Sequence, residues 1–199
     1  MDNERAYLSY NIVFDKIEEL LKQNTRIIVA IDGMCGSGKS YLADLLAGKY
    51  DCNVFHMDDF YLPLDMRTKE RLEEPGGNVH YERFKEEVLD PICENRPVIY
   101  RPYLCGVWKF DEPRTIQPKK LNIIEGSYSM HPLLRDAYDL SVFLEIDQEE
   151  QIRRIAQRSG EDSLKQFINR WIPLENKYFS EMNIKSVCDI KVSGTVNKM

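Results

Sequence analysis

Gly33, Gly38, Lys39 and Ser40 stand at the spacing G-x-x-x-x-G-K-S inside Ile27–Ser40, IIVAIDGMCGSGKS. Glycines at that spacing let consecutive backbone N–H groups line a nest for phosphate oxygens. The loop comprises Gly33, Met34, Cys35, Gly36, Ser37 and Gly38, and runs on into Lys39, Ser40 and Tyr41. A helix opening at its end adds a positive N-terminus. Lys39 supplies a flexible point charge for the outer phosphates, and Ser40 a hydroxyl suited to Mg²⁺. The expected chemistry is the handling of a nucleoside triphosphate.

Three further groups could act on a bound phosphate. Asp58 follows an apolar segment and is placed to orient and deprotonate an acceptor hydroxyl; such a base adds ~10²–10⁴-fold. Its neighbour Asp59 is the alternative base, or a partner of the metal or of a helix end. Glu125 closes LNII and is placed to hold Mg²⁺, or its water, beside Ser40. Arg153, Arg154 and Arg158 lie in QIRRIAQRSG, where Arg154 and Arg158 share one helix face. They are candidates for a lid over the phosphates, against the plainer reading of a solvated face paired with Glu149, Glu150 and Glu161. For the acceptor, Tyr61, Tyr103 and Trp108 offer rings, while His80, Arg101 and Arg170 offer polar groups. Trp171 and Phe179 read as core. Cys35 reads as a small loop residue.

These residues need a scaffold that gathers them. IIVAI is an apolar run rich in β-branched residues, the pattern of a parallel strand covered on both faces. Residues 39–49 then read as a helix with Leu42, Leu45 and Leu46 inward. A first helix is expected over about 5–22, with Leu8, Ile12, Ile17, Leu20 and Leu21 on its inner stripe. Further strands are expected at 54–57, 121–124 and 140–146, with a last edge strand at 186–192. Helices are expected at 80–90, 149–157 and 163–178, and 64–78 reads as an irregular or partly helical excursion. Segments 98–103 and 114–117 read as one strand pair forming a flap. The alternation predicts an α/β fold with a mainly parallel sheet flanked by helices, a small flap at about 98–118 and a helical lid at about 149–162, all in a single domain over 1–199. Ligands in such sheets bind beyond the carboxyl ends of the strands, where 33–40, Asp58-Asp59 and Glu125 all fall.

Composition narrows the partners. With 27 basic and 33 acidic side chains the net charge is −6, which argues against a general nucleic-acid groove. No 18-residue apolar span or signal segment is present, so no membrane partner is expected. The five cysteines are odd in number and form no C-x-x-C pair, which reads as reduced thiols of a cytoplasmic protein. The three histidines (56, 80 and 131) are not spaced as a metal site, and His131 before Pro132 reads as a turn residue. A guanine-specifying N-K-x-D segment is absent. The chain is short for a motor, so a kinase acting on a small hydroxylated molecule fits better than other phosphate-loop proteins. Self-association stays open.

The ordered set DGMCGSGKS (32–40), HMDDFY (56–61), GGNVHYERF (76–84), RTIQP (114–118), NIIEG (122–126) and RRIAQR (153–158) resembles the uridine kinase and phosphoribulokinase group of P-loop kinases. The likeness runs from about 25 to 160. It implies a P-loop NTPase fold, ATP and Mg²⁺ as cofactors, and Asp58 as catalytic base. It also implies Ser40 and Glu125 on the magnesium side, Lys39 on the transferred phosphate, and Arg154 or Arg158 closing over it. Tyr61 corresponds to the aromatic residue near the sugar. In the uridine kinase branch the acceptor is a nucleoside 5′-hydroxyl and the products are ADP and a monophosphate. The chain departs from that branch at Asn78-Val79-His80-Tyr81, which lacks the ribose-reaching aspartate of N-F-D-H-P. It departs again at Tyr100–Cys105, where Y-D and a following histidine are missing. A different small alcohol or vitamin precursor is the alternative acceptor, and a regulatory nucleotide binder without transfer is the third reading.

Overall fold

The structure is a computed structural model that describes residues 2–194, with side chains from residue 10 onward. Its framework is a five-stranded parallel sheet made of β1 (Ile27–Gly33), β2 (Cys52–His56), β7 (Leu121–Glu125), β8 (Leu140–Glu145) and β9 (Ile190–Ser193), in the order β2-β7-β1-β8-β9. Four shorter strands lie outside it: β3 (Val98–Tyr100), β4 (Tyr103–Leu104), β5 (Lys109–Phe110) and β6 (Arg114–Ile116). The fold is α/β with a mainly parallel central sheet flanked by helices, as the alternation of patterns predicts.

All seven β1 residues are buried, because both sheet faces are covered. Ile27, Val29 and Ile31 face one apolar layer with Leu42, Leu46, Leu121, Ile123 and Leu144. Ile28 and Ala30 face the other, with Phe55, Ile124, Phe143 and Tyr178. Each large aliphatic side chain removed from water contributes ~1.5–3 kcal/mol. The first layer is closed by α1 (Asp2–Gln23) and α2 (Lys39–Lys49). On α1 the inner stripe is Tyr10, Val13, Phe14 and Ile17, whereas Ile12 is 58% exposed. Of the expected stripe, Ile17 is in this core and Leu20 and Leu21 pack against it, Ile12 alone points away, and Leu8 has its side chain outside the described residues. The second layer is covered by the continuous helical segment 81–93 and by α7 (Ile172–Glu181) and α8 (Ile184–Val187). Within 81–93, α4 (Tyr81–Phe84) and α5 (Asp90–Cys93) flank a π-helical turn.

β1 ends in a turn that only glycine tolerates. Gly33 has φ 139°, and a Cβ there would lie 2.1 Å from the Leu144 carbonyl oxygen. Gly33→Ala is expected to cost roughly 2–6 kcal/mol through backbone strain plus overpacking. Chemical denaturation of the two proteins measures this, and an unchanged midpoint would contradict it.

The boundaries differ from expectation at three places. β2 ends at His56 because Met57 turns into a 3₁₀ turn (Met57–Phe60) packed on Gly126, whose added Cβ would lie 2.8 Å from Met57 Cβ. The flap is two short antiparallel ladders, β3 with β6 and β4 with β5. Pro102 separates them, since it lacks a ladder donor; its carbonyl instead accepts the Asp111 N–H. The expected edge strand at 186–192 is present as β9 but starts later, since α8 takes up 184–187 and pairing begins at Ile190 opposite Val142. Asp189 sets that start by accepting from the Ser141 backbone and hydroxyl. Segment 64–78 is the partly helical excursion expected, with a 3₁₀ turn (Leu64–Met66) and α3 (Lys69–Glu73).

The helix carrying the arginine cluster is α6 (Gln148–Gln166). It breaks at Gly160, where φ is 77°, and continues through a π-helical turn (Phe167–Trp171) into α7. Among the described residues no helix is long and apolar enough to cross a membrane. All five cysteines are free thiols.

Candidate active site

The phosphate-loop segment sits beyond the carboxyl end of β1, where neighbouring strands lead to β7 on one side and β8 on the other. This is the crevice position expected of an open α/β sheet. A cleft of about 430 Å³ opens there. Its lining includes Cys35, Gly36, Gly38, Lys39, Ser40 and Tyr41 from the loop and α2, with Asp58 and Tyr61 after β2. Glu125 at the end of β7, and Arg154 and Arg158 on α6, complete the group expected from the sequence.

The loop turns on glycines with positive φ. Gly36 and Gly38 have φ values of 77° and 103°, and Gly38 is the residue from which α2 springs. Lys39 Nζ donates to the Gly33 and Met34 carbonyls at 2.7 and 3.0 Å, so the ammonium group lies inside the loop. Gly33, Met34 and Ser37 form the loop's inner side and do not line the cleft. Ser37 is buried beneath Gly194, whose added Cβ would lie 2.1 Å from the Ser37 carbonyl oxygen. The chain beyond β9 therefore braces the loop. Lys39→Ala is expected to cut turnover by at least ~10²-fold with any acceptor, as loss of a preorganised charge at the developing negative charge would. Normal turnover in a coupled ADP assay would remove the loop from the chemistry.

Two neighbouring elements pin the peptide at Cys35. Gln151 on α6 donates to the Cys35 carbonyl at 2.9 Å, and the Glu175 carboxylate on α7 accepts the Cys35 N–H at 2.9 Å. Glu175 also accepts the Ser127 hydroxyl at 2.8 Å. Burial and the neighbouring Glu175 push the Cys35 thiol up to about 12, so it is held as the unreactive thiol.

Asp58 and Asp59 face different ways. Asp58 is open to the cleft between walls that include Tyr61. Desolvation by those walls raises its pKa, and the nearby Glu125 adds to this; Lys39 and the Tyr61 hydroxyl hydrogen bond oppose it. Asp59 is tied to the flap. Its carboxylate accepts the Tyr100 hydroxyl at 2.9 Å and Arg114 Nη1 at 3.2 Å.

Glu125 is 6% exposed, and both its oxygens lie 3.4 Å from Ser40 Oγ. His56 Nδ1 lies 2.6 Å from Glu125 Oε1, and this contact raises the His56 pKa. The described residues contain no cluster of three or more His, Cys, Asp or Glu able to hold a metal unaided. A hydroxyl and a single carboxylate instead fit Mg²⁺, which keeps several waters and takes further oxygens from phosphates.

Arg154 bridges the lid helix and the loop, donating to Glu150 at 2.7 Å, to the Gly36 carbonyl at 3.2 Å and to the Gly194 carbonyl at 2.8 Å. Arg158 lies with its guanidinium carbon 5.7 Å from the Phe167 ring centroid. Arg153 points outward to Glu150 and Gln157, as the solvated reading has it; Arg154 shares that Glu150 pairing but also reaches the loop, and Arg158 is exposed while lining the cleft.

Five expected acceptor residues are placed outside the cleft. His80 caps α4 by accepting the Arg83 N–H at 3.3 Å. Arg101 donates to the Asp111 carbonyl at 2.7 Å within the flap. Tyr103 is buried edge-on against Phe110, and Trp108 lies exposed beside Arg67. Arg170 lies over the Trp171 ring and is exposed. The hairpins hold these flap groups by local pairing, away from the loop.

Conversely, Gly126, Ser127, Tyr128, Phe167, Trp171 and Glu175 line the cleft. Trp171, read as core from its apolar neighbours, stands 6.1 Å from the Tyr61 ring. Phe179 is core, edge-on to Phe143 at 5.1 Å. Ser127 and Tyr128 were findable by position, since they follow a strand-end Glu-Gly. Glu175 had no local signal, because its role depends on where α7 docks. His131 is buried, stacked on Tyr81 at 3.8 Å, and accepts the Leu133 N–H, the turn role expected of it.

No protein-family model matches the chain. Solved structures share its fold. The possible uridine kinase of Bacillus stearothermophilus is 20% identical with a TM-score of 0.68, over 90% of this chain and 98% of that one. The proposed fructose transport system kinase of Silicibacter sp. TM1040 is 21% identical, with a TM-score of 0.68 over 94% and 98%. A proposed P-loop containing kinase of Saccharomyces cerevisiae, with a circular permutation, is 12% identical at 0.62, over 98% and 99%. At these identities the likeness establishes the fold alone, an α/β fold with a mainly parallel sheet flanked by helices.

Proposed function

We propose that this protein transfers the terminal phosphoryl group of ATP to a hydroxyl of a small molecule. The observation that carries this reading is the separation of two half-sites in one cleft. Lys39, Ser40, Glu125 and Arg154 surround the phosphate loop, and the Asp58 carboxylate, open to the cleft, faces them with an aromatic wall behind it. When bound, Mg²⁺-ATP supplies the phosphoryl group and neutralises part of its charge. Lys39 would hold the transferred phosphate, Ser40 and Glu125 the metal side, and Arg154 and Arg158 the outer phosphates. Asp58 would orient the acceptor hydroxyl and take its proton. Catalysis by such residues is mainly positioning and charge stabilisation.

Within this chemistry, the 5′-hydroxyl of uridine or cytidine is the first acceptor to consider. It is supported by the ordered motifs and by the name of one fold relative. The second reading is a non-nucleoside alcohol or vitamin precursor. It is favoured by the cleft lining, to which neither 78–81 nor 100–105 contributes. Mg²⁺-ATP turnover with uridine, cytidine and a set of small alcohols separates the two. A nucleoside monophosphate identified by mass supports the first, and turnover confined to another alcohol supports the second. We also infer a single kinase domain over 1–199 and a cytoplasmic setting.

A further inference from the structure

Glu125 is buried at the end of β7 and, among the described residues, has one short hydrogen bond. His56 Nδ1 lies 2.6 Å from its Oε1, whereas Ser40 Oγ stands 3.4 Å from both oxygens. Ser40 therefore does not choose between the two oxygens, and His56 does. A carboxylate accepts hydrogen bonds and has none to donate, so Nδ1 is the donating nitrogen. The last torsion of a glutamate side chain is soft, so a single short bond sets the turn of the carboxylate.

His56 has little else to hold it there. Its side chain is 42% exposed, and it belongs to neither apolar layer. Among the described residues Glu125 is its only hydrogen-bond partner. Strand register brings the two together. His56 closes β2 and pairs in register with Glu125, which closes β7. The next two residues are packed closely as well, since a Cβ added to Gly126 would lie 2.8 Å from Met57 Cβ. Pairing and close packing at these strand ends fix the distance from imidazole to carboxylate.

Building on the phosphoryl-transfer reading, in which Ser40 and Glu125 form the metal side, we infer that His56 is a positioning residue for Mg²⁺. By donating from Nδ1 to Oε1 it turns the carboxylate so that Oε2 is left for the ion or its water. It acts through Glu125, and not on the phosphates or the acceptor. Hydrogen-bond partners of a metal-binding carboxylate are worth ~10–100-fold in metal affinity. Without His56 the carboxylate turns freely and that share of the affinity is lost.

The test is calorimetric binding of a non-hydrolysable ATP analogue, with and without Mg²⁺, so that no transfer takes part. The wild-type protein binds the analogue more tightly with Mg²⁺. In His56→Leu this metal-dependent gain shrinks by about tenfold or more, while metal-free binding matches wild type. His56→Asn carries an amide donor near the position of Nδ1 and restores most of the gain. No gain in the wild type, an undiminished gain in His56→Leu, a His56→Asn no better than His56→Leu, or an equal loss of metal-free binding overturns the inference. Glu125→Gln separates it from the reading beneath it. A gain lost in Glu125→Gln and kept in His56→Leu strikes the role of His56 alone. A gain kept in Glu125→Gln strikes the metal-side assignment, and the role of His56 with it. If His56→Leu does not fold, nitrogen-15 resonances of wild-type His56 in the Mg²⁺-analogue complex decide the case: a hydrogen on Nδ1 supports the inference, and a bare Nδ1 overturns it.

Discussion

Asp58→Asn lowers kcat by ~10²–10⁴-fold while ATP binds to the variant as it does to the wild type. The asparagine keeps the shape of the side chain and loses only its capacity to accept a proton. Asp58 is the carboxylate of the Asp58-Asp59 pair that faces the loop. Asp59 is occupied by Tyr100 and Arg114, so Asp59→Asn should disturb the flap more than the chemistry. The raised Asp58 pKa, caused first by desolvation and then by Glu125, brings the base nearer to neutral pH, where proton transfer is best driven. Steady-state kinetics with a saturating acceptor, together with calorimetric ATP binding, measure both halves. Unchanged turnover would remove Asp58 from the mechanism, and a parallel collapse of ATP binding would make it a structural residue.

Asp32→Ala strongly destabilises the protein. Asp32 is fully buried at the start of the phosphate loop. It accepts Gly33 N–H at 2.6 Å, Tyr128 N–H at 3.2 Å, Met130 N–H at 2.9 Å and the Tyr178 hydroxyl at 2.8 Å. One carboxyl thus fastens the loop, the turn after β7 and helix α7 together. Alanine leaves buried donors without acceptors, and the expected loss is about 3–5 kcal/mol. Burial raises the Asp32 pKa to about 6 from the ordinary 3.8, against the pull of its donors. A carboxyl with a raised folded-state value binds its proton more tightly when folded, so that stabilisation is complete below 3.8 and is lost as pH rises through about 6. The stability difference between wild type and Asp32→Ala should therefore be larger near pH 4 than near pH 7. Urea denaturation at the two pH values reads it; equal differences, or a larger one at neutral pH, would contradict the account.

The parts legible in the sequence are those whose signal is local. IIVAI followed by G-x-x-x-x-G-K-S specifies strand, turn and helix within one stretch, because strand burial, glycine φ values and the helix start are neighbours in the chain. The strand-end placement of Asp58 and Glu125 follows from the parallel topology alone. The flap was less legible. Its two ladders depend on Pro102 interrupting a run that otherwise alternates, and its rings and arginines pack on one another, as Arg83 does between Phe60 and Phe110. A list of aromatic and basic residues therefore overstated its part in the cleft. Glu175 was illegible for the opposite reason. INRWIPLENKYF reads as an amphipathic helix, and nothing in it states that its glutamate meets the Cys35 amide 140 residues earlier. Asp32 shows the same limit, since its partners at 128, 130 and 178 come together only in the folded chain.

Phosphoryl transfer itself is the claim on which the rest depends. The most direct measurement follows the γ-phosphoryl group of labelled ATP, with Mg²⁺ and a panel of hydroxylated metabolites, into a product identified by mass. Wild type and Asp58→Asn are assayed side by side. The account predicts that at least one metabolite gains a single phosphoryl group in step with ADP formation, and that Asp58→Asn loses this transfer while still binding ATP. ATP binding with no labelled product from any hydroxyl, or transfer undiminished in Asp58→Asn, would contradict it.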